Sequence, residues 1–89
     1  MSETLMPITE LNQTIDMMNS SDYTLRFKAE YAQLGIRLMK LENMLKKWDK
    51  GELNFKPNYP RSIYDLQVRY MKDYKAILEA RAAIENIIL

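Results

Sequence analysis

The sequence predicts an all-α protein in which a short N-terminal helix precedes a long antiparallel helical hairpin that oligomerises. Two observations lead to this prediction. A long apolar heptad stripe runs through the middle of the chain, and a segment of similar length and pattern follows after one proline-containing loop. Two long helices joined by a single connection fold back on each other. The 89 residues are predicted to form one domain.

The first predicted helix covers residues 9–18. Leu11, Ile15 and Met18 follow one another at spacings of four and three, which places them on one helical face. Thr9 is a residue type that caps helix N-termini. The polar Asn-Ser-Ser-Asp segment that follows is expected to end this helix.

The second predicted helix covers residues 21–50, a length of about 45 Å at 1.5 Å per residue. Ser21 or Asp22 is expected to cap its start, and Gly51 is expected to end it in a left-handed conformation. The apolar stripe of this helix keeps its 4-3 spacing from end to end. Its members are Phe27, Tyr31, Leu34, Leu38, Leu41, Leu45 and Trp48.

The third predicted helix covers residues 62–89. Pro57 and Pro60 exclude helix from the loop before it, and Ser62 with Asp65 three residues later resembles a capping box. Apolar residues seven apart predict the seam that faces the second helix. They are Ile63, Tyr70, Ile77 and Ile84, with Leu66 and Ile87 beside them.

Both long helices carry further apolar residues outside these stripes. Gly35 lies among them and is expected to allow close approach by a neighbouring element. An apolar arc wider than one stripe requires more than one neighbour, and a chain of this size buries only ~60% of its unfolded surface. Self-association is therefore expected. The surplus residues are Ala32, Ile36 and Met39 on the second helix and Met71 and Leu78 on the third.

The composition argues against an enzyme, a metal site and a cofactor. The chain has no cysteine and no histidine, so the commonest metal ligands and the commonest acid–base group near neutral pH are missing. Its two glycines form no phosphate-binding loop. With 13 Lys and Arg against 12 Asp and Glu, the chain lacks the charge of a DNA or RNA coat. Its apolar runs are too short to predict a membrane span.

Aromatic and cationic side chains cluster at the starts of the two long helices and supply candidate ligand-binding residues. Aromatic rings stack on bases, and Lys or Arg neutralises phosphate. Stripe membership and solvation explain the same residues without a ligand, and both explanations stay open. The two clusters lie at opposite ends of the hairpin, so an oligomer would bring them together from different subunits. The candidates are Tyr23, Arg26, Lys28 and Tyr31 in the first cluster and Arg61 and Tyr64 in the second.

Two short segments carry a resemblance to a known family. Arg-Phe-Lys-Ala at 26–29 starts one long helix, and Asp-Leu-Gln at 65–67, followed by Met71, comes early in the returning helix. In this arrangement the chain resembles the phage anti-CBASS cyclic-nucleotide sponges and the hairpin domain that they share with some anti-Thoeris sponges. The resemblance covers about residues 22–84. It implies a homo-oligomer, often a hexamer, that acts in the cytoplasm of the infected bacterium. Such an oligomer sequesters cyclic di- or trinucleotide signals and does not cleave them.

The resemblance also implies roles for particular residues. Lys28 aligns with a lysine that contacts phosphate in the family, and Arg61 is the nearest match to a ligand-binding arginine. The N-terminal tyrosine of the family has no counterpart, because Gln13 falls near that position. Tyr23 or Tyr31 would have to replace it.

A different class of function is compatible with the same pattern. A helical interaction module, such as a phage inhibitor of a host protein, would dock through the surplus apolar residues. Methionine side chains adapt well to such surfaces. A third hypothesis, a small nucleic-acid binder, is weakened by the near-zero net charge. The docking surface of the interaction module would be Ile36, Met39, Met71 and Leu78.

Overall fold

The computed structural model describes residues 8–89, and its regular structure is helical throughout this range. A 3₁₀ turn over Leu11–Thr14 continues into the short helix α1, Ile15–Met18. Two long helices follow, α2 over Tyr23–Asp49 and α3 over Arg61–Glu85. The described part of the chain contains no strand, so the predicted all-α class is confirmed. The first predicted helix is a 3₁₀ turn followed by a turn of α-helix, and Glu10 stands in the N-cap position predicted for Thr9.

The predicted start and end signals of α2 are confirmed. The Asp22 carboxylate accepts a hydrogen bond from the backbone N–H of Thr24 at 2.9 Å, which satisfies one donor of the first turn. Gly51 has a φ of 68°, the left-handed conformation that closes many helices. Lys46 and Lys47 lie in the last turn, where the helix dipole favours positive charge.

α3 begins one residue before the predicted start and ends four residues before the predicted end. Pro60, in extended conformation, precedes the first helical residue, and no side chain of a capping box bonds there, so Ser62 lies inside the helix. The helix ends at Glu85 and not at the last residue of the chain, because Asn86 takes a left-handed conformation with φ of 58°. The Ile87 amide then bonds back onto the last turn at 2.8 Å.

The apolar stripe of α2 packs as predicted against α3. Phe27 and Leu34 form a buried cluster with Leu78 and Ala82 of α3, and Tyr31 packs against its edge. Four stripe residues are buried and three are half-buried, which confirms the predicted inner face of α2. The buried ones are Phe27, Leu34, Leu38 and Leu45, and the half-buried ones are Tyr31, Leu41 and Trp48.

The predicted seam of α3 is wrong for five of its six residues, which face away from α2, whereas Ile87 packs against the buried cluster. Leu78 and Ala82 are 0% and 2% exposed, and Met71 packs beside them. Apolar residues with heptad spacing occur on two faces of α3. When the face with Leu78 is turned toward α2, Lys72 and Glu79 also reach polar partners on α2. The exposed residues are Ile63 (48%), Leu66 (45%), Tyr70 (62%), Ile77 (58%) and Ile84 (81%).

Polar contacts between α2 and α3 follow a regular order along the two helices. The start of α2 contacts the end of α3, and the end of α2 contacts the start of α3. The order is seen in contacts of Tyr23 with Arg81, Tyr31 with Glu79, Glu42 with Lys72, and Asp49 with Arg61.

The N-terminal segment packs on another side of α2 through one buried hydroxyl. Thr14 is fully buried, donates a hydrogen bond to the Leu11 carbonyl at 2.7 Å, and accepts one from Gln33 Nε2 at 2.8 Å. Lys40 and Glu10 add an exposed ion pair at 3.5 Å. Ile36, expected to be surplus, is buried at 4% exposure.

Candidate functional site

A groove of about 360 Å³ lies between α2, α3 and the residues that precede the 3₁₀ turn. Ala32 and Gly35 contribute the small residues of α2 to its lining, and Tyr31 and Lys75 contribute an aromatic ring and a cation. The groove therefore combines a flat surface with a positive charge. The remaining lining residues are Ile8, Thr9, Ile36 and Met39.

Gly35 opens this groove instead of allowing close packing. No heavy atom of another element lies within 4 Å of the point where a Cβ would stand. No element of the described chain therefore approaches Gly35 closely, and close approach by a second copy stays a prediction. The missing side chain instead leaves a gap in the surface of α2, beside the half-buried Ala32.

Tyr31 is held in place by two residues of α3. Its hydroxyl donates a 2.6 Å hydrogen bond to Glu79 Oε2, and the Lys75 Nζ lies 5.7 Å from the centre of its ring. The hydrogen bond to Glu79, then burial, then the nearby negative charge of Glu79 raise the pKa of Tyr31 to about 12. The phenol therefore stays neutral at physiological pH, and its ring is fixed at the groove.

Lys28 lies one helical turn before Ala32 and so continues the same side of α2 toward its N-terminus. Within residues 8–89, its ammonium group forms no ion pair and no hydrogen bond with a side chain. The same holds for Lys75, apart from its contact with the Tyr31 ring. Two cations without a carboxylate partner in the described chain thus accompany one aromatic ring, an arrangement that suits a phosphate with an attached base.

The chain from residue 21 to residue 84 matches the model of the Sequestin family. The chain belongs to the Sequestin family. The matched range includes α2, the connecting loop and nearly all of α3, and so both long helices that line the groove. The family name denotes sequestration, which implies a binding role rather than a catalytic one. No curated protein and no solved structure matches the chain.

Tyr23 and Arg26 lie near Lys28, at the start of α2, but have partners within the fold. Arg26 Nη1 donates a 2.8 Å hydrogen bond to the Ser20 carbonyl, which ties the cation to the turn before α2. The Tyr23 hydroxyl accepts a 3.2 Å hydrogen bond from Arg81 Nη2. Arg81 also lies 5.0 Å over the Phe27 ring. Both candidates therefore support the start of α2.

Arg61 lies at the start of α3, beside the end of α2, and is held by two carboxylates. Its Nη1 lies 2.5 Å from Asp49 Oδ1, and its Nε donates to Asp65 Oδ1 at 2.9 Å. Its guanidinium also lies 5.4 Å over the Trp48 ring. The hydrogen bond from Arg61 lowers the pKa of Asp49 and raises the pKa of Arg61 itself.

Tyr64 packs into the same corner as Arg61. Its ring centre lies 5.8 Å from those of both Trp48 and Tyr59. Twenty-one residues of helix separate Lys28 from Asp49, a rise of roughly 32 Å at 1.5 Å per residue. One subunit therefore does not bring Arg61 or Tyr64 to the Lys28 groove.

Sequence reasoning missed Lys75, the cation across the groove from α2. The signal was present, because Lys75 lies four residues after Met71 and three before Leu78 and so shares their helical face. Once Met71 and Leu78 are known to form the inner face of α3, Lys75 is expected on that face too. Because the outer stripe was predicted to be the seam, Lys75 was not identified from the sequence.

Among residues 8–89, no group of three or more acidic, histidine or cysteine side chains is placed to hold a metal ion. In the same part of the chain, no helix combines the length and hydropathy needed to cross a membrane.

Proposed function

We propose that this member of the Sequestin family binds a cyclic di- or trinucleotide immune signal in the groove at Lys28, Tyr31 and Lys75. The observation that supports it best is the pair of lysines, without carboxylate partners in the described chain, beside one fixed aromatic ring. The ammonium groups neutralise phosphates, and the ring offers a base a stacking surface. Ala32 and Gly35 leave space for the ligand to approach the helix backbone.

The proposed protein acts by removing the signal and not by changing it. Binding needs no acid, base or metal, in keeping with a chain that has no histidine and no cysteine. A phage that makes such a protein in the cytoplasm of its bacterial host starves the immune effector of its activator. This is the role of an anti-CBASS sponge.

The proposed functional form is a homo-oligomer of antiparallel hairpins, with a hexamer as the assembly implied by the sponge resemblance. The order of contacts between α2 and α3 supports the antiparallel hairpin. Arg61 and Tyr64 lie too far from Lys28 in one subunit, so they join the ligand only from a neighbouring copy. Arg26 and Tyr23 act at the same end as Lys28.

A helical module that docks on a host protein is the second candidate, because α3 exposes an apolar stripe. The stripe differs from the surface that the sequence suggested. Ile36 and Leu78 are only 4% and 0% exposed, so they are not available to a partner. Ile63 and Ile77 of the exposed stripe would take their place.

A thermal-shift screen against cyclic dinucleotides and trinucleotides tests the proposed function. A ligand at 100 times its dissociation constant stabilises the folded state by about 2.7 kcal/mol, which is readily detected for a domain of this size. Lys28→Ala and Lys75→Ala should each weaken binding about tenfold or more, since a charge-assisted contact to phosphate contributes ~1.5–3 kcal/mol. Lys56→Ala, an exposed loop variant, is the matched control and should bind like the wild type.

The screen also separates the two candidates. A shift that both groove variants reduce and Lys56→Ala retains supports the sponge. Absence of any shift across the panel contradicts it and favours the docking module.

A further inference from the structure

The outer face of α3 carries an apolar stripe, interrupted by Asp73, that nothing in the described chain covers. From Ile63 to Ile84 the stripe extends along roughly 32 Å of helix at 1.5 Å per residue. Such exposed patches mark interaction surfaces. Its members are Ile63, Leu66, Tyr70, Ile77 and Ile84, between 45% and 81% exposed.

We propose that a second copy of this chain covers this stripe, with α3 packed antiparallel to α3 about a two-fold axis between Met71 and Lys72. This inference rests on the homo-oligomer of the proposed function and assigns the surface and the geometry of one interface. A two-fold interface requires a self-complementary surface, in which each residue pair occurs twice. The stripe meets that requirement.

The heptad positions of the stripe set the register of the two copies. Ile63, Tyr70, Ile77 and Ile84 share one core position, and Leu66, Asp73 and Ala80 share the other. In an antiparallel pair the first set faces the second set of the other copy. With the axis between residues 71 and 72, Leu66 meets Ile77, and Ile63 meets Ala80. Side chains of complementary size therefore fill these layers.

Asp73 decides between the possible arrangements, because it is the one carboxylate among these core positions. In the antiparallel register it faces the Tyr70 hydroxyl of the second copy, with Arg69 of that copy beside it. Neither Asp73 nor Arg69 forms an ion pair within residues 8–89. A parallel pair would place Asp73 against Asp73, and an uncompensated buried charge is strongly unfavourable. A polar core residue of this kind fixes register.

The register also explains how opposite ends of two hairpins, one from each copy, come to the same end of the assembly. Arg61 of the second copy comes level with Ala82, which lies beside Arg81 at the Tyr23 and Phe27 end of the first copy. The corner with Arg61 and Tyr64 of one copy is thereby brought to the Lys28 end of the other. The candidate residues that one subunit separates are gathered at the same end of the assembly.

Light-scattering mass measured after size-exclusion chromatography tests this interface. Ile77→Glu should halve the mass of the assembly, whether that assembly is a dimer or a hexamer built from such pairs, because it buries a charge opposite Leu66. Asn43→Glu adds the same charge to an exposed position of α2, away from the stripe, and should keep the wild-type mass. Circular dichroism checks that both variants stay helical.

A charge exchange tests the register directly. Asp73→Arg should lower the mass by placing two arginines together, and the double variant Arg69→Asp with Asp73→Arg should restore it. A wild-type monomer at high micromolar concentration, or an unchanged mass for Ile77→Glu, would overturn the inference. Failure of Arg69→Asp with Asp73→Arg to reassociate would overturn the register.

The mass measurement is independent of ligand binding, so the two proposals fail separately. If the protein is a monomer whose melting temperature rises with a nucleotide, the sponge function stands and this interface is wrong. If it is a two-fold assembly whose melting temperature rises with none of the nucleotides, the interface stands and the sponge function is wrong. If the wild-type chain is a monomer and its mass rises only after a host protein is added, the stripe binds a different protein. That result would overturn self-association.

Discussion

The hydroxyl of Tyr31 donates a 2.6 Å hydrogen bond to Glu79 Oε2 across the two long helices. The bond joins positions 48 residues apart in the sequence and holds the ring that lines the groove. Lys75 approaches the same ring from α3. One contact therefore connects the packing of α2 against α3 with the geometry of the candidate site.

Tyr31 gives the stability of the fold a pH dependence in the alkaline range. Its pKa is raised from 10.0 to about 12 in the folded protein, so the fold retains a proton that the unfolded chain loses. The stabilisation is fully present below pH 10 and is lost as the pH rises toward 12. Urea denaturation at several pH values should show this loss in the wild type, and Tyr31→Phe should have a shallower slope.

Tyr59→Phe is the matched control for that measurement. Within the described residues its hydroxyl makes no hydrogen bond, so the variant should keep the wild-type slope between pH 10 and pH 12. Equal slopes for Tyr31→Phe and the wild type would show that the bond to Glu79 does not stabilise the fold.

Thr14 should contribute strongly to the docking of the N-terminal segment. Thr14→Val keeps the shape of the side chain but removes both hydrogen bonds of a fully buried hydroxyl. The expected loss of unfolding free energy is about 1–3 kcal/mol, measured by chemical denaturation. Thr9→Val, at an exposed position, should cost much less. A loss below 0.5 kcal/mol, on the scale of exposed substitutions, would contradict the role of Thr14.

Leu78 tests which face of α3 packs inward. It is fully buried, so Leu78→Ala should lower the unfolding free energy by about 2–5 kcal/mol in equilibrium denaturation. Ile88→Ala removes a similar side chain that is 85% exposed and should have little effect. If the two variants were equally stable, the inner face of α3 would have to lie elsewhere.

Substitutions at Gly35 should affect the stability of α2 and ligand binding in the groove in opposite directions. Gly35→Leu replaces the poorest common helix former, at a position with no neighbour within 4 Å, and should stabilise α2 by up to about 1 kcal/mol. The same side chain fills the groove and should weaken nucleotide binding at least tenfold. A calorimetric titration checks binding, with Gly35→Ala as the smaller step. Unchanged affinity for Gly35→Leu would move the ligand site away from this groove.

The helices of this protein follow from local patterns, which is why the sequence predicted them well. The stripe of α2, the cap at Asp22 and the turn at Gly51 depend on residues a few positions apart. The end of α3 depends on the left-handed conformation of Asn86, a residue type that adopts it less often than glycine does. That boundary was therefore missed.

Heptad periodicity alone does not determine which of the two apolar faces of α3 packs against α2. Ile77 and Leu78 are neighbours in sequence, and each belongs to an apolar face with heptad spacing. Burial of Leu78 depends on contacts with Phe27 and Leu34, far away along the chain. The groove needs the same information, since Lys75 reaches Tyr31 only when Leu78 faces inward. Lys28 and Tyr31 were identifiable by residue type, and Lys75 was not.

Recovery of an intact ligand tests the sponge most directly. The protein is incubated with the cyclic nucleotide that gives the largest thermal shift, separated from free nucleotide, and denatured by heat, and the released material is identified by mass spectrometry. The account predicts that an unchanged cyclic nucleotide is released in stoichiometric amount from the wild type and in much smaller amount from Lys28→Ala. Release of a linear product, or equal retention by Lys28→Ala, would contradict it.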